Sequence, residues 1–232
     1  MSKPPLQSSG NAISEDEEPI VVLAGGGWLE RFISACALLA ASPVMAIIAA
    51  AVWSDDGRPI LFKQTRIGMG GNPFTLFKFR TMLNNRAGSS ITASGDRRVT
   101  KTGRILRKFK LDELPQLLNV LRGEMSLVGP RPEVPQYVDF QQPIWREVLR
   151  VRPGITDVAT LMYRDEEQIL AAFSDPEQGY REKVLPDKLS LNLAYLQVRS
   201  TFRDLKLLVL TARYSFVRGS IDAEKVRKLI VP

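Results

Sequence analysis

The densest set of reactive side chains lies in residues 106–132, LRKFKLDELPQLLNVLRGEMSLVGPRP. Asp112 and Glu113 are adjacent, follow Arg107, Lys108 and Lys110, and precede Pro115 at the start of an apolar run. Local physics allows two readings. Asp is a favoured N-cap and Glu a favoured first-turn residue, and proline costs little where its N–H would be unpaired anyway. The stretch is then a well-capped helix. Alternatively, a carboxylate at a helix start among cations keeps a low pKa and can attack phosphorus or hold Mg²⁺, while free N–H groups receive phosphate. Neighbouring side chains on an α-helix point about 100° apart, so one carboxylate can react while the other supports it.

Arginines elsewhere suit the second reading. Arg131 stands between Pro130 and Pro132, and Arg152 precedes Pro153-Gly154. Restricted backbones there would hold guanidinium groups for phosphate or nucleotide, although such turns also occur without function. Lys78 and Arg80 alternate with Phe77 and Phe79, which puts the two cations on one face of a strand.

Absences narrow the chemistry. The chain has no His and a single Cys, Cys36. Ser-His-Asp and Cys-His catalysis, His-ligated zinc, an intrachain disulfide and thiolate clusters are therefore excluded. Carboxylates, hydroxyls, Lys and Arg remain as reactive groups, and a metal would be a hard, oxygen-seeking ion such as Mg²⁺. No G-x-G-x-x-G or G-x-x-x-x-G-K phosphate loop is present.

The elements that position these residues fall into three parts. Residues 1–27 read as a disordered acidic tail with a Gly25-Gly26-Gly27 joint. In residues 28–56, 23 consecutive uncharged positions separate Arg31 from Asp55. As a helix this run is ~35 Å long, enough for a hydrocarbon core of ~30 Å, and Trp28 and Trp53 stand where interfacial aromatics belong. Ser42-Pro43 interrupts it. Proline should kink the helix, and the Ser42 hydroxyl can bond a freed carbonyl, so a spanning and a re-entrant segment both remain open. Residues 57–232 form the third part. Beyond residue 30 there are 31 basic against 20 acidic side chains, which favours anionic partners.

Two strands are expected at 60–67 and 74–82, joined by the turn at 68–73 and followed by a flexible loop over 84–95. Residues 96–110 read as a cationic amphipathic helix with Ile105 and Phe109 on its apolar face, either a solvated surface or an anion-binding patch. Further helices are expected at 111–121, over 134–151 with a break at Pro143, and at 165–173, 181–198 and 202–216. The last could face a core, a membrane surface or both. A type II turn is expected at 152–154. The fold class is mixed α/β, mostly helical with a short β-hairpin and an N-terminal re-entrant (monotopic) membrane helix if the break at Ser42-Pro43 turns the chain back.

In order, the motifs are Ser42-Pro43, FKQTRIG at 62–68, FKFRTM at 77–82, DRRVT at 96–100 with Gly103, Leu106-Arg107-Lys108, residues 111–119, residues 125–132 and RPGIT at 152–156. This series closely resembles the bacterial sugar transferase family, the small monotopic phosphoglycosyl transferases. The resemblance implies transfer of a phosphosugar from a UDP-sugar to polyprenyl (undecaprenyl) phosphate with release of UMP, initiating exopolysaccharide or glycoconjugate assembly. It implies that Asp112 is the nucleophile and carries the phosphosugar, that Glu113 completes the pair, and that Mg²⁺ binds at Asp112. Arg107, Arg131 and Arg152 become candidates for phosphate or nucleotide contact, and Lys78 and Arg80 for the lipid phosphate. The segment with Ser42-Pro43 becomes re-entrant, with the body on the cytoplasmic face of the inner membrane. Asp157 departs from the pattern, standing where many relatives have Gly.

No nucleic-acid motif accompanies the basic stretch, so no nucleic-acid partner is expected. A homo-oligomer and downstream glycosyltransferases stay open as partners. The competing reading from another class is a catalytically silent membrane protein that binds nucleotide sugars or partners of the same machinery.

Overall fold

The computed structural model describes residues 27–83, 95–216 and 223–231. The expected acidic tail and all of the expected loop at 84–95 except Gly95 lie outside the described residues, as does most of the triple-glycine joint.

The first described element is α1 (Trp28–Asp56), whose helix continues through Pro43. Pro43 has no N–H to give the Leu39 carbonyl, and the Ser42 hydroxyl donates to that oxygen instead at 2.8 Å. Only Ser34, Ile48 and Val52 of α1 are buried. Trp28, Phe32, Leu39, Ile47 and Trp53 are all more than half exposed. A long, outward-facing apolar surface of this kind fits a monotopic membrane helix. Both ends of the helix touch the same body. The Arg31 guanidinium lies against Gly123, while Ile48 and Val52 pack with Phe79 and Leu106. A helix crossing a bilayer would carry one end ~30 Å from a body at the other.

β1 (Leu61–Ile67) and β2 (Pro73–Phe79) pair antiparallel, with Leu61 opposite Phe79 and Ile67 opposite Pro73. The second strand ends earlier than residue 82, because its partner begins at Leu61, opposite Phe79, and only the bond from the Arg80 amide to the Ile60 carbonyl continues the pairing. α2 (Lys101–Lys108) is capped by the Thr100 hydroxyl, which accepts from the Gly103 amide at 2.9 Å. Its inward face is Gly103 and Leu106, not Ile105 and Phe109; Ile105 is 59% exposed. Gly103 sits so close to the Thr81 backbone that no Cβ would fit, and this contact sets the rotation of the helix.

The expected single helix over 111–121 is two pieces: a 3₁₀ helix at Leu111–Gln116 and α3 (Leu117–Arg122), closed by Gly123 at φ 78°. β3 (Ser126–Val128) follows, then a 3₁₀ turn at Pro135–Tyr137 and α4 (Pro143–Val148). Pro143 begins that helix rather than breaking one, as its missing N–H allows. β4 (Gly154–Thr156) pairs parallel with β3. The expected type II turn is absent, since Gly154 does not take the positive φ it would need. The two segments instead meet at Gly129 and Gly154, where neither could carry a side chain.

The remainder is helical: α5 (Val158–Met162), α6 (Glu166–Ala171), α7 (Pro176–Gly179), a π-turn at Tyr180–Val184, α8 (Leu185–Gln197), α9 (Thr201–Phe216) and α10 (Ala223–Arg227). α4 and α8 share a core around Trp145, Tyr180 and Leu189, while α5, α9 and α10 share one around Val158, Leu207 and Val226. α9 is two-sided. Leu207 and Tyr214 face the core, whereas Phe202, Leu205 and Val209 are exposed.

Candidate active site

The acid pair stands on an unusual piece of backbone. α2 stops at Phe109, and Lys110 then adopts a left-handed conformation (φ 56°, ψ 21°), the single positive-φ residue other than glycine among those described. Such a conformation costs of order 1–3 kcal/mol in a residue with a side chain. The reversal lets the 3₁₀ helix begin at Leu111, so Asp112 is inside it and is not its N-cap. No side chain caps this helix. The well-capped-helix reading of Asp112 is thereby removed. With three residues per turn, Asp112 and Glu113 diverge by about 120°.

Their environments are opposite. Both Glu113 oxygens accept from the Arg131 guanidinium, at 2.7 and 3.3 Å. Burial would raise the Glu113 pKa, but Arg131, with Lys110 behind it, outweighs burial and holds the carboxyl at about 2. The same contact pushes Arg131 further up. Asp112 is 6% exposed, and its Oδ1 has no hydrogen-bond partner. Burial, then the charge of Glu113, raises its pKa, with Lys78 and Lys110 opposing. Lys78 itself is lowered to about 8 by burial, against the pull of Asp112.

These groups line a cavity of about 480 Å³ that also includes Arg66, Arg107 and Arg164. Nine basic and six acidic side chains surround it, a balance that suits a diphosphate. Arg107 gives its Nε–H to Thr81 at 2.9 Å and an Nη1–H to Glu167 at 2.7 Å. Lys78, Arg107, Asp112, Glu113 and Arg131 are thus brought together.

Arg80 and Arg152 are not brought there. The Arg80 guanidinium donates to the carbonyls of Asp56 and Gly57 at 2.8 and 2.9 Å, closing the end of α1. Arg152 donates to the Gly123 carbonyl at 3.0 Å, beyond the end of α3. Carbonyls left unpaired at a helix end are natural acceptors for a guanidinium. Neither guanidinium lines the cavity, so the structure does not bring these two expected lipid-phosphate and nucleotide contacts to the acid pair.

Two positioning residues were not anticipated. Asn119, fully buried, donates to the Thr75 carbonyl at 2.7 Å and accepts from the Phe77 amide at 3.2 Å, fixing α3 to the strand that carries Lys78. An amide in the middle of an apolar run was the available signal. Asp157 accepts from the Arg131 amide at 2.6 Å and caps α5 through Thr160, so it sets the loop that aims Arg131. Its departure from the family pattern had been visible without its purpose.

A family model for the bacterial sugar transferases matches residues 26–218. The chain belongs to the bacterial sugar transferase family. Similar members include a UDP-glucose:undecaprenyl-phosphate glucose-1-phosphate transferase of Caulobacter vibrioides, 39% identical over 77% of this chain and 66% of that protein. The uncharacterized sugar transferase EpsL of Bacillus subtilis is 40% identical over 80% of this chain and 84% of its own length. A UDP-glucose:undecaprenyl-phosphate glucose-1-phosphate transferase of Escherichia coli is 39% identical over 78% of this chain, but the chain spans 38% of that protein.

Proposed function

We propose that this sugar transferase moves a phosphosugar from a UDP-sugar to polyprenyl phosphate at the cytoplasmic face of the inner membrane, as the first step in building an exopolysaccharide or related glycoconjugate. One observation carries the reading. Asp112 presents an uncommitted buried oxygen beside a closed Glu113–Arg131 pair, in a basic cavity whose supporting helices rest on α1. The names of relatives that act on UDP-glucose and undecaprenyl phosphate support the substrate classes.

An Asp112 oxygen attacks the phosphorus that bears the sugar. The bond from that phosphorus to the bridging oxygen breaks, and its electron pair leaves with UMP. A phosphosugar is then held on Asp112 as an acyl phosphate. An oxygen of polyprenyl phosphate attacks the same phosphorus, and the Asp112 carboxylate leaves intact. Glu113 stays ionised and holds Arg131 against the reacting phosphate. The charge of Lys78 favours the ionised, attacking form of Asp112.

Mg²⁺ fits this site in a limited way. Among the described residues no three acidic, His or Cys side chains form a metal cage. Asp112 Oδ1 can supply one protein ligand, with substrate phosphates and water completing the shell, as is common for this ion. Bound there it would offset the charge of the diphosphate.

The test uses the full chain in nanodiscs with polyprenyl phosphate, Mg²⁺ and a panel of UDP-sugars. UMP release is expected from at least one of them, and Asp112→Asn should reduce it by at least about 10³-fold. Without acceptor, the intact mass of the wild type should gain one phosphosugar. Substantial turnover by Asp112→Asn would overturn the nucleophile assignment. For topology, tags at residues 5 and 230 should both be protected from protease added to intact cells.

A further inference from the structure

A second, smaller hollow adjoins the charged cavity. It measures about 230 Å³ and is walled mainly by Phe109, Leu111, Leu114, Leu117, Ile155 and Tyr214. The two hollows share Lys108, Lys110, Glu113, Thr160 and Arg164. At that junction two buried polar atoms have no partner: Arg164 Nη1 and Thr160 Oγ1. An unpaired buried guanidinium nitrogen is costly, and at the mouth of a charged cavity a bound anion would satisfy it. Leu111 and Leu114 also pack into the cluster that holds Ile48 and Val52 of α1. The apolar hollow therefore runs from the foot of the membrane helix to the acid pair. Its other wall belongs to α9, through Thr211, Ala212 and Ser215, and that helix exposes Phe202, Leu205 and Val209.

Resting on the function proposed above, we propose that this junction seats the lipid acceptor, with its phosphate on Arg164 and Thr160 and the first isoprene units of its chain in the apolar hollow. The chemistry of the site requires both features. A phosphate monoester needs cationic and hydroxyl donors, and an isoprenoid chain gains by leaving water for aliphatic and aromatic walls. The sugar nucleotide lacks a chain for the apolar half. The arrangement brings the attacking phosphate to the junction beside Glu113, next to the Asp112 that lines the charged cavity, and leaves the rest of that cavity to the nucleotide. Lys108 and Lys110 add charge at the entrance.

The experiment separates this seat from the overall reaction. A polyprenyl phosphate with a photoreactive diazirine on its first isoprene unit is irradiated with the full chain in nanodiscs. Labelling is expected in the peptides containing residues 109–117, 155–164 or 211–215, and excess unlabelled polyprenyl phosphate should remove it. Labelling confined to α1 or to the β-hairpin, or no competed labelling, overturns the proposal. In steady-state kinetics, Arg164→Gln and Ala212→Trp should each raise the KM for polyprenyl phosphate about tenfold, as expected for a lost charged hydrogen bond or a blocked apolar seat, with the KM for UDP-sugar little changed. A shift in the UDP-sugar KM instead would assign Arg164 to the nucleotide and sink the assignment. Labelling reads the seat without turnover, so an absence of UMP release with correct labelling would count against the reaction and not against the seat.

Discussion

Arginines divide this molecule into two regions that use the same side chain differently. Outside the cavity, Arg80 donates to carbonyls at the end of α1 and Arg152 to the carbonyl just past the end of α3. Around the cavity, Arg131 is bound to a carboxylate, and Arg164 keeps a buried nitrogen without a partner. Arg80 also keeps a buried Nη1 without a partner, but its Nη2 is tied to the end of α1 and the residue does not line the cavity. Arg131 and Arg164 line the cavity itself, so the first brings its field to the acid pair and the second turns its unpartnered nitrogen toward space an anion can fill. The contrast separates arginines that tie backbone at helix ends from arginines that line the charged cavity.

The strongest way to break that contrast is Arg131→Ala. It would leave Glu113 buried and unpaired, at a cost of about 3–5 kcal/mol. Urea titration should read that loss, and turnover of the folded fraction should fall as well. The pH sign follows from the lowered Glu113 pKa. Its contribution to stability is present above the unfolded value near 4.5 and lost as pH falls through about 2. In Arg131→Ala this acid-side loss should shrink. Arg80→Ala should cost less, about 1–3 kcal/mol from unpaired carbonyls, with the chemistry of the folded protein nearly intact. A large fall in kcat with unchanged stability would move Arg80 into the reactive region and end the distinction. Lys78→Arg tests the cavity more gently. The wild-type rate should decline as pH rises past about 8, where Lys78 loses its proton. The Arg variant keeps its charge and should lack that limb.

Sequence patterns were legible where one local rule decided the outcome. The hairpin, the long apolar helix and the pairing of Ser42 with a freed carbonyl all follow from period, length and one proline. The acid pair was legible as a candidate, but its local geometry was misread. The rules for caps assume an α-helix, and the turn at Lys110 replaces it with a 3₁₀ helix that starts before Asp112. Arg80 and Arg152 lie away from the cavity for a related reason. A strand face or a proline-flanked turn says where a side chain starts, whereas the nearest unpaired carbonyl decides where it ends. The parallel pairing of β3 and β4 was invisible because each is three residues long, too short for any alternation to register. Arg164 had no signal at all, since its importance lies in a missing partner, which only packing can reveal.

The smallest expected effect probes the idea that the reactive region is held at a cost to folding. Asp112 has a folded pKa raised by burial and by Glu113. A carboxyl of this kind favours the folded state while protonated. Its contribution is fully present below the unfolded value near 3.8 and is lost as pH rises through the folded value. Asn keeps the shape of Asp without the charge and so escapes that loss. Asp112→Asn should therefore melt close to the wild type near pH 4, and above it at pH 7–8, by an amount on the order of 1 kcal/mol per unit of pKa shift removed. Thermal melts of the two proteins across this range measure the difference directly. A gap that closes as pH rises would mean that Asp112 is stabilised by its neighbours when ionised, and that the cavity holds its nucleophile without expense to the fold.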